Sequence, residues 1–395
     1  MKVAFFEFVT HYGGASRSVV EFATRLKQHV GVAIVDPYGC CDAFAAAARQ
    51  AGLDYHVLCP EAGPAVRQIG GQGRPLQRAW RLLRSLPNLV TVHRRAERLL
   101  KELEVDVVSS NNFKGAFIVG TIRALRHVPT VVHLRGWYTP DMMPWYGKWL
   151  CRRRCAAVFA VSHATRTAVI CAGVDPTKVH VLHNPIDVDE TVQMARRPLD
   201  APLPQSDRPV RIIVPASLIR TKGQHTAVKA MRRILDAGHD AVLYLPGDPI
   251  GHQSYVTQTQ ALAERLGVAD RVEWLGFRFD MPQLMNASTV VVLPSHTEGH
   301  PRAVLEAMAL AKPVAATPVG GIVETLVPNL TGLFFDVEDD QGLAQCVNEF
   351  VASPERAREM GRMAQECMRK SFHPSQQIAK ALKVFRQVTG LRANE

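Results

Sequence analysis

The sequence predicts an α/β protein made of two doubly wound, Rossmann-like domains, and three observations carry that reading. Short β-branched apolar runs alternate with longer amphipathic stretches from end to end. The alternation stops once, in a proline-rich stretch at 196–209, and then restarts. The length, 395 residues, suits two domains that each bury a core, and a hydrophobic fraction of 47% excludes a disordered or fibrous chain.

In the first half the strand candidates are Lys2–Phe8, Val32–Val35, Val105–Ser109, Thr130–Leu134, Val158–Val161 and Val179–Leu182. Their apolar character on both faces is what strands covered by helices on either side require. Between them, Ser16–Gln28 sets Val19, Val20, Ala23 and Leu26 at helical spacing. The stretch RRPLDAPLPQSDRP at 196–209 has four prolines and no periodicity, so the linker between a domain at 1–195 and one at 210–373 is expected there.

The second half repeats the pattern with Val210–Pro215, Val242–Leu245, Val272–Leu275, Val290–Leu293, Val314–Ala316 and Leu333–Phe335 as strands. Gln224–Ala237, Ser254–Leu266 and Arg302–Leu310 are the helices between them. The final segment, Pro374–Thr389, puts Ile378, Leu382 and Phe385 on one face of a helix, and residues 374–395 are expected to pack back on the first domain. Open parallel sheets bind ligands at the carboxyl ends of their strands, so the loops that follow the strands are where chemistry is sought.

Charge divides the halves: residues 1–200 carry 26 Lys+Arg against 16 Asp+Glu, a net of +10, while 201–395 carry 21 and 20, a net of +1. The basic half therefore suits an anionic partner. Eight cysteines with no CxxC pair read as free thiols, and Glu7 with a Gly turn after it marks the start as a strand instead of a signal peptide. A cytoplasmic protein is expected, with the inner face of the cell membrane as a candidate location.

Chemistry concentrates in three loops. In SHTEGHPRAVLEAMALAKPVAAT, Ser295–Thr317, Glu298 precedes a helix that begins near Pro301 or Arg302, and that helix's first amides suit a phosphate or sugar hydroxyl. Glu306, eight residues on and embedded in an apolar run, suits a ribose diol. In SLIRTKG, Arg220 and Lys222 occupy a strand-to-helix turn, where two cations can neutralise a diphosphate, although loop cations taken alone are more often simply solvated. Gly13-Gly14 makes a close-approach turn without the remaining glycine of a dinucleotide fingerprint.

With these blocks the chain resembles the retaining glycosyltransferases of family 4, which have the GT-B fold. The matching segments are GGASRSVVEFATRL, VFAVSHATRTAVICAGVDPTKVHVLHNPID, PASLIRTKGQHTAVKA, RVEWLGF and EGHPRAVLEAMALAKPVAATPVGGIVETL. The resemblance implies a nucleotide-sugar-binding second domain and an acceptor-binding first domain. It sets Glu298 against the donor sugar, Glu306 on the ribose, and the loop at Gly299, His300 and Pro301 on sugar and phosphates. It sets Lys222 on the diphosphate, Gly276 and Phe277 at the base, and Gly14 near the reacting phosphate. His133, at the end of its strand, matches a family His beside donor and acceptor, and Asn111 and Asn112 are candidates for acceptor hydroxyls. Two departures stand out: Ser217 occupies the place of a family Arg, for which Arg220 is the replacement at hand, and Pro185 follows Asn184 where Gly is usual.

Arg67–Lys101 holds nine Lys/Arg and one acid among Trp80, Leu82, Leu83, Leu86, Leu99 and Leu100, and Lys148–Arg154 repeats the mixture. This composition suits a helix lying on an anionic membrane or, equally, a solvated helix face; no nucleic-acid motif accompanies it. The expected activity is transfer of a hexosyl unit from a UDP- or GDP-sugar to a hydroxyl of a glycan or lipid-linked acceptor. It needs no cofactor, and no metal is expected because no suitably placed DxD motif occurs. A silent sugar-nucleotide-binding subunit and a UDP-sugar epimerase of the same architecture are the alternatives.

Overall fold

The computed structural model describes residues 1–62, 75–122, 125–137 and 139–391, with 75–87 described by backbone alone. The chain divides into two units: residues 1–183 with 377–395, and residues 184–376.

The first unit runs β1 (Lys2–Phe6), α1 (Gly14–Leu26), β2 (Gly31–Asp36), α2 (Asp42–Gln50), β3 (Asp54–Val57), α3 (Pro75–Glu102), β4 (Val107–Ser110), α4 (Phe113–Thr121), β5 (Thr130–Leu134), α5 (Trp145–Arg153), β6 (Ala157–Ala160), α6 (His163–Cys171) and β7 (Val179–Val181). Its parallel sheet has the order β3-β2-β1-β4-β5-β6-β7. The two-residue period of the strands decides the layers: Val3 and Phe5 enter one core with Val19, Phe22 and Leu26 of α1, while Ala4 and Phe6 enter the other with Val92, Ala96 and Leu100 of α3. β3, with the sequence DYHV, was not expected; it is a half-buried edge strand and has no apolar run to announce it.

The second unit runs α7 (Val188–Ala195), β8 (Val210–Ile213), α8 (Gln224–Asp236), β9 (Ala241–Pro246), α9 (Gln253–Arg265), β10 (Val272–Gly276), α10 (Met281–Ala287), β11 (Val290–Leu293), α11 (Arg302–Ala309), β12 (Val314–Ala316), β13 (Leu333–Phe334), α12 (Asp340–Ala352) and α13 (Pro354–Ser371). Its parallel sheet has the order β10-β9-β8-β11-β12-β13. Val290 and Val292 face one core, Val291 and Leu293 the other. The last helix, α14 (Pro374–Thr389), belongs to the first unit from Gln377 on, and its Ile378, Leu382 and Phe385 join the core that holds Phe5 and Phe159.

The proline-rich stretch expected to link the domains lies inside the second unit. Leu203 is buried there, Asp200 N–H donates to Asp280 at 2.7 Å, and the Tyr244 hydroxyl donates to the Pro204 carbonyl at 2.7 Å. A segment without periodicity is thus fixed by bonds from its own backbone, and the crossings between units fall at His183/Asn184 and Gln376/Gln377.

In each sheet the strand order reverses once, between β1 and β4 and between β8 and β11. Loops diverge at such a switch point and leave a crevice at the carboxyl ends of the strands.

Candidate functional site

At the β8/β11 switch point the loops that follow the two strands are tied together. The His296 N–H donates to the Thr221 carbonyl at 2.8 Å. Gly223, at φ +69°, sits where an added Cβ would come within 1.9 Å of the Pro294 carbonyl oxygen, so only glycine allows this approach. The turn Arg220–Lys222 leads through Gly223 into α8.

This arrangement aims Lys222 at Glu298. The ammonium donates to Glu298 Oε1 at 2.6 Å, and the Ser295 hydroxyl donates to the same oxygen at 2.7 Å. Glu298 is buried, and its backbone carbonyl meets the Gly-Gly turn after β12: Gly320 has φ +55°, and a Cβ on it would stand 1.7 Å from the Glu298 oxygen. The loop's Gly299, His300 and Pro301 are all buried. His300 Nδ1 accepts from the Asn184 N–H at 3.2 Å, Asn184 Nδ2 donates to the His300 carbonyl at 2.7 Å, and the His300 ring lies 5.3 Å from Phe372.

Pro301 stands at the N-cap of α11, without an N–H of its own and without a side-chain hydrogen bond to the helix, and the first turn of α11 begins at Arg302. Glu306 is buried on this helix and accepts from Arg302 one turn earlier at 3.1 Å. Lys222, Glu298, the 299–301 loop and Glu306 therefore occupy one strand-end loop pair and the helix it starts. Arg220 is exposed, with no carboxylate paired to it among the described residues. Gly276 has φ +65° and open space around it, and Phe277 beyond it is exposed and edge-on to exposed Phe279 at 4.9 Å.

The first unit's switch point gathers a different set. Glu7, just past β1, is buried, and its Oε1 accepts from Asn111 N–H at 2.9 Å and Asn111 Nδ2 at 2.5 Å. Arg135, just past β5, donates to Asn111 Oδ1 at 2.7 Å. Burial raises the Glu7 carboxyl to about 7 against the pull of the Asn111 hydrogen bonds and the Arg135 charge. Sequence reasoning used Glu7 only as a break in an apolar run and passed over Arg135. The usable signal was a charged residue directly after an apolar strand.

Two candidates of the first unit have structural tasks. Asn112 Oδ1 accepts from Gly115 N–H at 2.7 Å as the N-cap of α4, so this member of the Asn pair caps a helix. His133 shares its face of β5 with Val131 and is enclosed by Phe22 and Phe159, with ring centroids 6.4 and 5.7 Å away. Burial holds its imidazole well below the usual range, and its Nε2 is buried without a hydrogen-bond partner among the described residues. Gly14 opens α1, with open space where a Cβ would stand.

The basic segments are described in part. Residues 67–74, and the side chains of 75–87 with Trp80, Leu82, Leu83 and Leu86, lie outside the described residues. On the part of α3 whose side chains are described, Leu100 is buried with Val92 and Ala96 while Lys101 and Arg98 pair with Glu97 and Glu102. In α5 and just after it, Arg152 and Arg154 donate to the carbonyls of Ala172 and Gly120 at 2.9 Å, while Trp145 and Trp149 are exposed.

Sequence profiles match both halves: the one described as Glycosyltransferase Family 4 covers residues 39–190, and the one described as Glycosyl transferases group 1 covers 196–366. The chain belongs to glycosyltransferase family 4. This family 4 chain is 32% identical over 250 residues to the alpha-maltose-1-phosphate synthase of Mycolicibacterium smegmatis, covering 59% of itself and 63% of that protein. It is 28% identical over 208 residues to the D-inositol 3-phosphate glycosyltransferase of Corynebacterium urealyticum, covering 51% and 47%. The family 4 chain thus spans less than two thirds of the length of these curated relatives. Among solved structures, Anabaena HepE in complex with UDP-glucose is similar over 97% of this chain and 99% of that one, with TM-score 0.79 and 24% identity. The sucrose-phosphate synthase of Thermosynechococcus elongatus is similar over 99% and 100%, with TM-score 0.78 and 18% identity. These likenesses establish the fold as GT-B.

Proposed function

We propose that the protein is a retaining glycosyltransferase that moves a hexosyl unit from a UDP- or GDP-sugar to a hydroxyl of a glycan or lipid-linked acceptor. The observation that carries this reading is the convergence of Lys222 and Ser295 on one oxygen of Glu298 at the β8/β11 switch point, just before α11. Lys222, with exposed Arg220 nearby in the chain, supplies positive charge for the departing diphosphate, and the amides of α11 add to it. Glu298 accepts from donor-sugar hydroxyls and Glu306 from the ribose. Gly276 admits the base against backbone, flanked by the Phe277–Phe279 pair. A complex of HepE with UDP-glucose favours a UDP donor here. On the acceptor side, Asn111 is the candidate held in place by Glu7 and Arg135.

The leaving diphosphate itself takes the acceptor proton on the same face of the sugar, so no carboxylate nucleophile is called for. A role in envelope glycan or glycolipid synthesis follows from the basic first half and the exposed tryptophans of α5. The test incubates the purified protein with UDP- and GDP-hexoses and a panel of glycan and lipid acceptors, reading product by mass and anomeric configuration by NMR. An α-linked product from an α-linked donor is expected. Binding without turnover, with activity appearing in Ser217→Arg, would identify a silent binding subunit instead.

A further inference from the structure

Three side chains of the second unit converge outside the residues assigned so far. His225 stands in the first turn of α8, His296 in the loop after β11, and Glu338 in the loop after β13. Their ligand-type atoms all lie within 4.8 Å of one another. His225 Nε2 is 2.8 Å from both Glu338 oxygens, and His296 Nε2 is 3.2 Å from Glu338 Oε1. Glu338 itself has φ +64°, a conformation that costs a non-glycine residue free energy, and the Thr226 hydroxyl donates to its second oxygen at 3.4 Å.

The hydrogen bonds around His225 decide what its Nε2 presents. Gln224 Nε2 donates to the Ser217 carbonyl at 2.9 Å, which turns Gln224 Oε1 toward the Tyr255 hydroxyl at 3.3 Å. Tyr255 has one proton and gives it to that oxygen, so at 2.9 Å it accepts from His225 Nδ1–H. With Nδ1 protonated, a neutral His225 directs the Nε2 lone pair at a carboxylate. His296 Nε2 is buried against the same carboxylate in a direction that makes no hydrogen bond. Lone pairs from three side chains facing one point repel unless a cation lies between them. The His296–Glu338 separation is close to the edge of a tetrahedron with 2.0–2.1 Å bonds, about 3.3 Å, and the His225–Glu338 separation of 2.8 Å is somewhat shorter. A ring nitrogen held by a second partner is also how metal-binding histidines are oriented.

We propose that His225, His296 and Glu338 bind a divalent d-block cation of the zinc class, with one coordination position left open. Two imidazoles and one carboxylate favour zinc, cobalt or nickel over magnesium or calcium, which take oxygen donors. The lack of a suitably placed DxD motif concerns a different kind of site, a carboxylate cradle for a metal–diphosphate pair, and does not bear on this one. The ligands sit three residues after Lys222 and two before Glu298, so a bound cation fastens together the loops that follow β8, β11 and β13. The assignment does not rest on the glycosyl transfer reading.

Chelator-treated full-length protein titrated with ZnCl2 in a calorimeter tests it, with CoCl2 as a visible-absorption probe of tetrahedral N/O coordination. One saturable site is expected, accompanied by a rise in Tm. His225→Gln, His296→Gln and Glu338→Gln should each weaken it at least tenfold and remove the Tm rise. The cobalt spectrum of the unmutated protein keeps the test valid if a variant fails to fold. Absence of saturable uptake, or an affinity unchanged in folded Glu338→Gln, overturns the proposal and leaves a proton on His225 as the bridging cation.

Discussion

Lys222 Nζ donates to Glu298 Oε1 at 2.6 Å, with Ser295 Oγ donating to that same oxygen at 2.7 Å. The buried carboxylate thus depends on the cation that the proposed mechanism directs at the diphosphate. Lys222→Ala should lower kcat about 10²–10³-fold. It should also destabilise the protein by ~1–3 kcal/mol, because the buried Glu298 loses its counter-charge. Adding Glu298→Gln restores stability but not turnover. Urea denaturation and initial-rate kinetics on both single variants and the double variant check this; additive stability losses would show that the pair is not coupled.

The close approach of Gly320 to Glu298 predicts a second effect. Gly320→Ala puts a methyl 1.7 Å from the Glu298 carbonyl oxygen at φ +55°, whereas Gly276→Ala meets nothing within 4 Å at φ +65°. Gly276→Ala therefore costs about 1 kcal/mol of backbone strain alone, and Gly320→Ala should cost at least about 2 kcal/mol more as the loop is displaced. Donor affinity should fall with it, as read by a thermal-shift titration with UDP.

The strands of both sheets were legible in the sequence because β-branched residues fill both faces, as in Val290–Leu293. That Lys222 and Glu298 lie in loops at strand ends was legible too, because each loop comes after such a strand. Edge strand β3 was not, since Asp54, Tyr55 and His56 are polar and only half-enclosed or exposed. The Glu7–Asn111 pair escaped because 104 residues separate its members and only the β1/β4 pairing brings them together. The neighbours of His133 were not legible either, since period-two alternation sets it beside Phe22 and Phe159 from distant elements. Asn184 was noted for the Pro after it, yet its bonds to His300 run across 116 residues.

Glu7 sets a pH dependence. Its carboxyl is raised to about 7 in the folded protein by burial, above its unfolded value near 4.5. Between those values the folded state holds more protons, so stability falls as pH rises from about 4.5 through about 7. The full loss, about 3 kcal/mol, applies above that window. Glu7→Gln keeps an acceptor for the Asn111 donors without the buried charge, so it should flatten this slope and raise Tm above pH 7. Urea midpoints measured from pH 5 to 8 decide it; parallel slopes for both proteins would refute the assignment.

His133 separates a packing role from a chemical one. His133→Leu keeps an apolar side chain of similar size between Phe22 and Phe159, and no ionic partner is lost because burial already keeps the ring neutral. Stability should change by less than about 1.5 kcal/mol, with kcat within about twofold of the unmutated enzyme. A folded His133→Leu with kcat reduced a hundredfold would restore the catalytic role implied by the family resemblance.

The exposed tryptophans of α5 carry the membrane reading, since Arg152 and Arg154 are engaged with backbone carbonyls. Trp145 is 77% exposed and Trp149 40%, one helical turn apart, with Met142 at 59% just before them and Lys148 between. Aromatic side chains beside a cation suit the headgroup boundary of an anionic bilayer. Trp145→Ala with Trp149→Ala should therefore reduce co-sedimentation with phosphatidylglycerol vesicles by at least tenfold and leave UDP binding unchanged. Replacing Lys148 by Gln should reduce it by a smaller, salt-sensitive factor, because one surface cation contributes about 1 kcal/mol. Loss of vesicle binding on charge removal but not on tryptophan removal would shift the contact to electrostatics alone; retention through both would end the membrane assignment.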